Sequence, residues 1–275
     1  VGQDAIGAVV LLDDVTESTM MERSKDEFFS IASHELRTPL TAIRGNTSMM
    51  LEYYKDDIKN EDLKEMITDI HGSSQRLIEI VNDFLDTSRL EQGRMEFNLQ
   101  KVSLAELIGA VVKDTSTVTK ERLNEVRIDA SINKLPQVYA DPDKLKQVLY
   151  NLIGNSIKFT EKGKITISSV LEGDKVRISI IDQGRGIGAD SRKLLFRKFQ
   201  QASNSILTRD ATKGTGLGLY ISKMILENMG GTIRLDSSEV GKGSVFSFTV
   251  PIAQASTDDS RFLKKSLPEA EKIGV

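Results

Sequence analysis

The sequence predicts an α + α/β fold: a helical hairpin that pairs with a second copy into a dimeric four-helix bundle, followed by a two-layer α/β sandwich. Three observations predict it. Leu63, Ile70, Leu77 and Phe84 recur every seven residues, with Ile67, Ser74, Val81 and Ser88 at the alternate positions, a heptad stripe that requires helical partners. A polar stretch, Asp56 to Asn60, separates that stripe from an earlier apolar-periodic segment. After Gly93 the pattern changes to helix and strand signals in alternation.

Residues Ile6 to Leu12 read as one apolar, β-branched strand. Followed by Asp13-Asp14-Val15-Thr16-Glu17, it resembles the exit of a PAS sensor domain into a signalling helix, so residues 1–16 are expected to end an upstream sensor. From Glu17 to Tyr54, Phe28, Ile31, Leu36, Leu40, Ile43 and Met50 keep helical spacing. A second helix is expected over Glu61 to Glu91, with Gln92-Gly93 as its C-cap. Residues 17–93 thus form one domain. A lone hairpin leaves half its seam in water, and dimerisation buries it, so the expected state is a homodimer. Over 94–252 the expected helices are Leu104 to Val112, Asp141 to Phe159 and Leu217 to Met229. The expected strands there are Val126 to Ile132, Lys164 to Leu171, Val176 to Ile181, Thr232 to Asp236 and Ser244 to Val250. Residues 253–275 read as a polar tail or linker.

Composition narrows the function classes. The 275 residues carry 37 Lys and Arg against 40 Asp and Glu, a net charge of −3 with no broad basic field, which argues against nucleic acid as a partner. There is no cysteine, hence no disulfide and no thiolate metal site. No run approaches the roughly 18 apolar residues of a membrane-spanning helix, no signal peptide is evident, and the chain does not begin with Met. The expectation is a cytoplasmic fragment of a longer protein, without membrane contact of its own.

The chemistry-bearing residues fall in two distant groups. The first is Ser33-His34-Glu35-Leu36-Arg37-Thr38-Pro39-Leu40. Thr38 lies one turn beyond His34 on the same helix face, and Glu35 is adjacent. Imidazole is largely unprotonated at neutral pH and nucleophilic, and a nearby carboxylate can fix its tautomer or take its proton. Pro39 removes a helical donor and opposes the Glu35 carbonyl, which would loosen the helix beside the histidine. A lone histidine reads as a surface residue near a helix break; the complete string reverses that reading. His71, outside any such string, reads as solvated or at a bundle edge.

The second group begins more than a hundred residues later. Asp141-Pro142 reads as an N-cap with proline at N1. The helix after it places Leu145, Val148, Leu149, Leu152, Ile153 and Ile157 on one side and Gln147, Asn151, Asn155 and Lys158 on the other. Asparagine offers a neutral carbonyl oxygen to a hard cation, and lysine meets phosphate as a point charge. Asp182 ends an apolar strand before Gly184, Gly186 and Gly188. An ionised carboxylate only accepts hydrogen bonds, so it suits an adenine amino group and repels a guanine carbonyl. Phe196 and Phe199 precede a polar segment, Gln200 to Lys213, that reads as a lid. Gly214, Gly216 and Gly218 then open a helix, whose N-terminal N–H groups form an anion site.

Together and in this order, these motifs resemble the sensor histidine kinases over about Ser24 to Pro251. The resemblance implies a dimerisation and phosphoacceptor hairpin followed by a Bergerat-type ATP-binding domain. It implies autophosphorylation on His34 with ATP and Mg²⁺, onward transfer to an aspartate of a response-regulator receiver domain, and phosphatase action on that regulator. By resemblance Glu35 assists as base and Thr38 places a water. Asn155 ligates Mg²⁺, Asn151 and Lys158 surround metal and phosphates, Asp182 recognises adenine, and the glycines at 184, 186, 214, 216 and 218 line the nucleotide. Many relatives carry an arginine soon after the second phenylalanine, where this chain has Gln200 and Gln201, so Arg209 and Lys213 are its lid cations, either of which can meet phosphate. The ATP domain would swing about the helix end at Gln92-Gly93 to reach His34. Two rivals differ in residues. The chaperone and topoisomerase ATPases of this fold place a glutamate where Asn151 stands, and a non-catalytic scaffold would lack His34, Asn155 or Asp182.

Overall fold

The computed structural model describes residues 16–122, 124–200 and 215–253, apart from the side chains of 16–30, 33 and 34. The expected strand Ile6 to Leu12, lid residues 201–213 and tail 254–275 lie outside the described residues. The chain divides into two compact units, Val1–Ser88 and Arg89–Val275.

The first unit is a hairpin of α1 (Thr16–Tyr53) and α2 (Glu61–Glu91), of which α2 extends into the second unit. Asn60 caps α2 by accepting from the Leu63 N–H at 3.1 Å, and Glu61 and Asp62 place negative charge against the helix dipole. The helices run antiparallel: Thr47 Oγ1 meets His71 Nδ1 at 3.0 Å, and Arg37 Nη2 donates to Asn82 Oδ1 at 2.7 Å. His71 is therefore half-buried and hydrogen-bonded between the two helices, which fits the bundle-edge reading. The heptad stripe splits in two. Ile67 and Ser74 are buried at 8% and 3% exposure, while Leu63, Ile70 and Leu77 stay 48%, 49% and 47% exposed. No helix among the described residues is long and apolar enough to cross a membrane.

At the far end of α2 the Arg94 N–H reaches the Arg89 carbonyl at 2.9 Å, and the Gly93 N–H reaches Leu90 at 3.1 Å. This is a Schellman motif with Gly93 at φ 64°. Leu90 is buried in the core of the second unit, so the last residues of α2 belong to that unit.

The second unit continues with β1 (Gln100–Val102), α3 (Leu104–Asp114), α4 (Ser116–Glu121), β2 (Asn124–Ile128), β3 (Val138–Ala140) and α5 (Pro142–Phe159). It is completed by β4 (Gly163–Glu172), β5 (Lys175–Asp182), α6 (Ala189–Arg192), α7 (Gly218–Asn228), β6 (Thr232–Glu239) and β7 (Gly243–Pro251). The main sheet has the order β2-β4-β5-β7-β6, with β2 parallel to β4 and all other neighbours antiparallel; β1 and β3 pair separately. Strand alternation sends Ile165, Ile167, Val176, Ile178, Ile180, Phe246, Phe248 and Val250 into one core with apolar residues of α3, α5 and α7. The opposite face carries Thr166, Ser168, Arg177 and Ser179, so the unit has two layers, sheet and helices.

Two expectations over this region are corrected. The strand expected to reach Ile132 stops at Ile128, because Asp129 Oδ1 accepts from the Ser131 N–H at 2.8 Å and caps a 3₁₀ turn over Ala130–Lys134. The short elements β1, α4, β3 and α6 are additional.

Candidate active site

His34 lies within α1, and its side chain is outside the described ones. Glu35 and Thr38 are exposed on the same helix, which runs through Pro39. Arg37, held by Asn82, is half-buried between them.

The remaining described residues converge in the second unit. Asp141 Oδ1 accepts from the N–H groups of Asp143 and Lys144, both at 3.0 Å, and its Oδ2 from Asn98 at 2.8 Å. That cap and Pro142 fix the start of α5, whose apolar face is buried by the sheet and α7. The polar face is thereby aimed at the start of α7. Asn151 Nδ2 donates to Ser222 Oγ at 2.8 Å, and Asn155 Nδ2 donates to Asn151 Oδ1 at 3.1 Å. Asn155 Oδ1 receives no donor among the described residues. A Cβ on Gly218 would come within 2.5 Å of Asn151 Oδ1, so a larger residue there would displace the Asn151 amide. Lys158 Nζ lies 5.6 Å and the Arg185 guanidinium 4.5 Å from the centre of the Phe159 ring, two cations against one aromatic ring at the end of α5.

Asp182 closes β5 with 7% exposure. Its Oδ1 accepts from the N–H groups of Gly184 at 2.9 Å and Ser244 at 3.2 Å, while Oδ2 takes no donor among the described residues. Burial pushes the carboxyl above the ordinary aspartate range, and those two N–H groups pull it partly back. The turn that follows is tight. Gly186 sits at φ 68°, and a Cβ there would lie 2.0 Å from the Glu239 carbonyl oxygen. Gly186→Ala is expected to destabilise the chain by about 3 kcal/mol or more, from left-handed strain and a backbone clash, read as a lower urea midpoint.

Gly216 and Gly218 stand at the start of α7, and Thr215 Oγ1 accepts from the Leu217 N–H at 3.1 Å. Arg209, Lys213 and Gly214 lie outside the described residues. Sequence reasoning missed Ser222 and Ser244, which contact Asn151 and Asp182 across 71 and 62 residues, and Ser238 and Arg192 beside them. The one local signal was Gly241-Lys242-Gly243-Ser244 opening a strand.

Residues 24–93 match the family model for the His Kinase A (phospho-acceptor) domain, and residues 140–254 match that for the histidine kinase-, DNA gyrase B-, and HSP90-like ATPase. The chain belongs to the histidine kinase family. It is similar to the circadian input-output histidine kinase CikA of Synechococcus elongatus, with 37% identity over 88% of this chain and 32% of that protein. It is also similar to the aerobic respiration control sensor protein ArcB of Escherichia coli, with 33% identity over 86% of this chain and 30% of that one. The chain spans less than half the length of the curated relatives it matches first. Among solved structures it is similar to full-length ShkA in complex with AMPPNP, with a TM-score of 0.67 and 30% identity, over 84% of this chain and 47% of that one. The second unit of this histidine kinase has the expected Bergerat ATPase fold.

One further cluster in this histidine kinase joins the last residue of α2 to both flanks of the 201–214 segment. Glu91 accepts from the Tyr220 hydroxyl at 2.6 Å and pairs with Lys198. Burial, followed by the Glu91 contact, pushes the Tyr220 phenol up to about 12.

Proposed function

We propose that the chain transfers the γ-phosphoryl group of ATP to His34 and passes it to an aspartate of a response-regulator receiver domain. The observation that carries the nucleotide half is Asp182, buried, with one oxygen saturated by backbone donors and the other left to accept from a base. An acceptor without a proton to give selects the adenine amino group over the guanine carbonyl. Gly184, Gly186 and the start of α7 at Gly216 and Gly218 give the nucleotide close backbone approach, with Gly214, Arg209 and Lys213 proposed beside its phosphates.

The donor set of α5 fits Mg²⁺. Asn155 offers a neutral amide oxygen that no described group occupies, oriented by Asn151. An ion held there would take its other ligands from the nucleotide phosphates and water. Bound there, Mg²⁺ would neutralise charge on the phosphates. Lys158 supplies a further cation beside them.

On α1 an imidazole nitrogen of His34 forms the N–P bond as the P–O bond to ADP breaks, and Glu35 takes the ring proton. Thr38, one turn on, would hold the water that hydrolyses the regulator's acyl phosphate. The test is incubation with Mg²⁺ and γ-labelled ATP, followed by an isolated receiver domain. Acid-labile, alkali-stable label that moves to the receiver supports the proposal; a chain that binds ATP and takes no label overturns it.

The acceptor hairpin is proposed to work as a homodimer. Leu63, Ile70 and Leu77 form the half of the heptad stripe that α1 leaves uncovered, and a second hairpin buries it. Ile70→Glu combined with Leu77→Glu is expected to convert the dimer to monomer in sedimentation velocity, and an unchanged sedimentation coefficient would place the interface elsewhere.

A further inference from the structure

The polar contacts around Ser238 form a pin that joins the glycine turn after β5 to the facing ends of β6 and β7. Ser238 is 9% exposed. Its Oγ accepts from the Ile187 N–H at 2.9 Å, lies 3.1 Å from the Gly243 carbonyl oxygen and 2.9 Å from Ser244 Oγ. A hydroxyl has one proton and two lone pairs. With Ser238 donating to Gly243 and accepting from Ile187 and Ser244, each of these contacts has one donor and one acceptor. Arg192 of α6 ties the same two strands of chain a second time. Its Nε donates to the Ile187 carbonyl at 2.9 Å and its Nη2 to the Ser238 carbonyl. The pin ends at the nucleotide carboxylate, because Ser244 also gives its N–H to Asp182 Oδ1.

We infer that Ser238 and Arg192 are positioning residues for base recognition, setting where the glycine turn and β7 meet Asp182 and so where its free oxygen points. The inference rests on the nucleotide reading above. Two independent ties between Ile187 and Ser238 resist a shift of the turn that loss of either would permit. Such a shift redirects a hydrogen bond that distinguishes adenine from guanine, while the phosphate contacts of α5 and α7 remain.

The experiment is calorimetric titration of the full chain with Mg²⁺ and ATP, and separately GTP, for the parent, Ser238→Ala, Ser238→Thr, Arg192→Lys and Asp182→Asn. Arg192→Lys keeps the charge but not the fork that reaches two carbonyls. Ser238→Ala and Arg192→Lys are each expected to weaken ATP by roughly tenfold, the scale of one hydrogen bond, and to narrow the ATP-over-GTP ratio by a similar factor. Ser238→Thr, which keeps the hydroxyl, is expected to restore the ratio. An unchanged ratio in both variants, or equal losses for ATP and GTP, would overturn the inference. Should Ser238→Ala fail to fold, Arg192→Lys alone decides. A parent chain that binds neither nucleotide would overturn the nucleotide reading and the pin together; a parent that binds, weakened by Asp182→Asn and indifferent to both pin variants, would overturn the pin alone.

Discussion

A chain carrying His34→Gln is expected to take up no acid-labile label from γ-labelled ATP, a fall of at least about 10³-fold, while binding ATP as the parent does. Glutamine keeps polarity and helix propensity but has no basic nitrogen to attack phosphorus. The molecule has no ready substitute. His71 is the only other histidine, and its Nδ1 is engaged by Thr47 inside the hairpin, half-buried. The variant's binding is expected to survive because every proposed nucleotide contact belongs to the second unit. Label persisting on His34→Gln would move the acceptor role to another residue, and loss of ATP binding would show that the substitution had disturbed more than the nucleophile.

Asp182→Asn is expected to separate recognition from stability. The asparagine carbonyl can still accept from Gly184 and Ser244, so the turn is kept. The amide nitrogen then meets the adenine amino group donor to donor, and ATP affinity is expected to fall on the order of 10²-fold or more. Stability moves the other way. Burial raises the folded-state pKa of Asp182. Its contribution to the fold is therefore full below the unfolded pKa and lost as pH rises through the folded one, so at neutral pH the ionised carboxylate is a net cost. Asparagine lacks that cost, and the variant's urea midpoint at neutral pH is expected to equal or exceed the parent's. The same shift predicts that ATP affinity of the parent falls on acidification at a higher pH than an ordinary aspartate would give. Undiminished ATP affinity in the variant, or a collapsed midpoint, would remove Asp182 from the recognition role.

Much of the fold was legible because its signals are local. The polar turn, the heptad stripe and Gly93 define α2 from Glu61 to Glu91 within the sequence itself, and Asp141-Pro142 marks the start of α5. Among the elements that escaped, β1 and β3 are three residues each, too short for a period to show, and exist because they pair with one another. The site divides the same way. Asn151, Asn155, Asp182 and the glycines sit in short motifs whose residue types declare their chemistry. Ser222 and Ser238 do not, because a serine acquires meaning here only from a partner 71 or 51 residues away. Which half of the heptad stripe faces α1 was likewise invisible, since both halves have the same period and only the folded hairpin distinguishes them.

The strand order has a consequence for solubility. With β2 and β6 at the margins, each outer row of backbone donors and acceptors has no further strand partner among the described residues, the place where another chain could add a strand. Both margins are guarded by charge. Glu125 and Arg127 are exposed and paired on β2, and Arg234 and Asp236 on β6. Extending the sheet with another copy would strip water from these ions, so the second unit resists ribbon-like aggregation. The pairing of two hairpins proposed above meets no such barrier at Leu63, Ile70 and Leu77, whose exposed side chains carry no charge to desolvate.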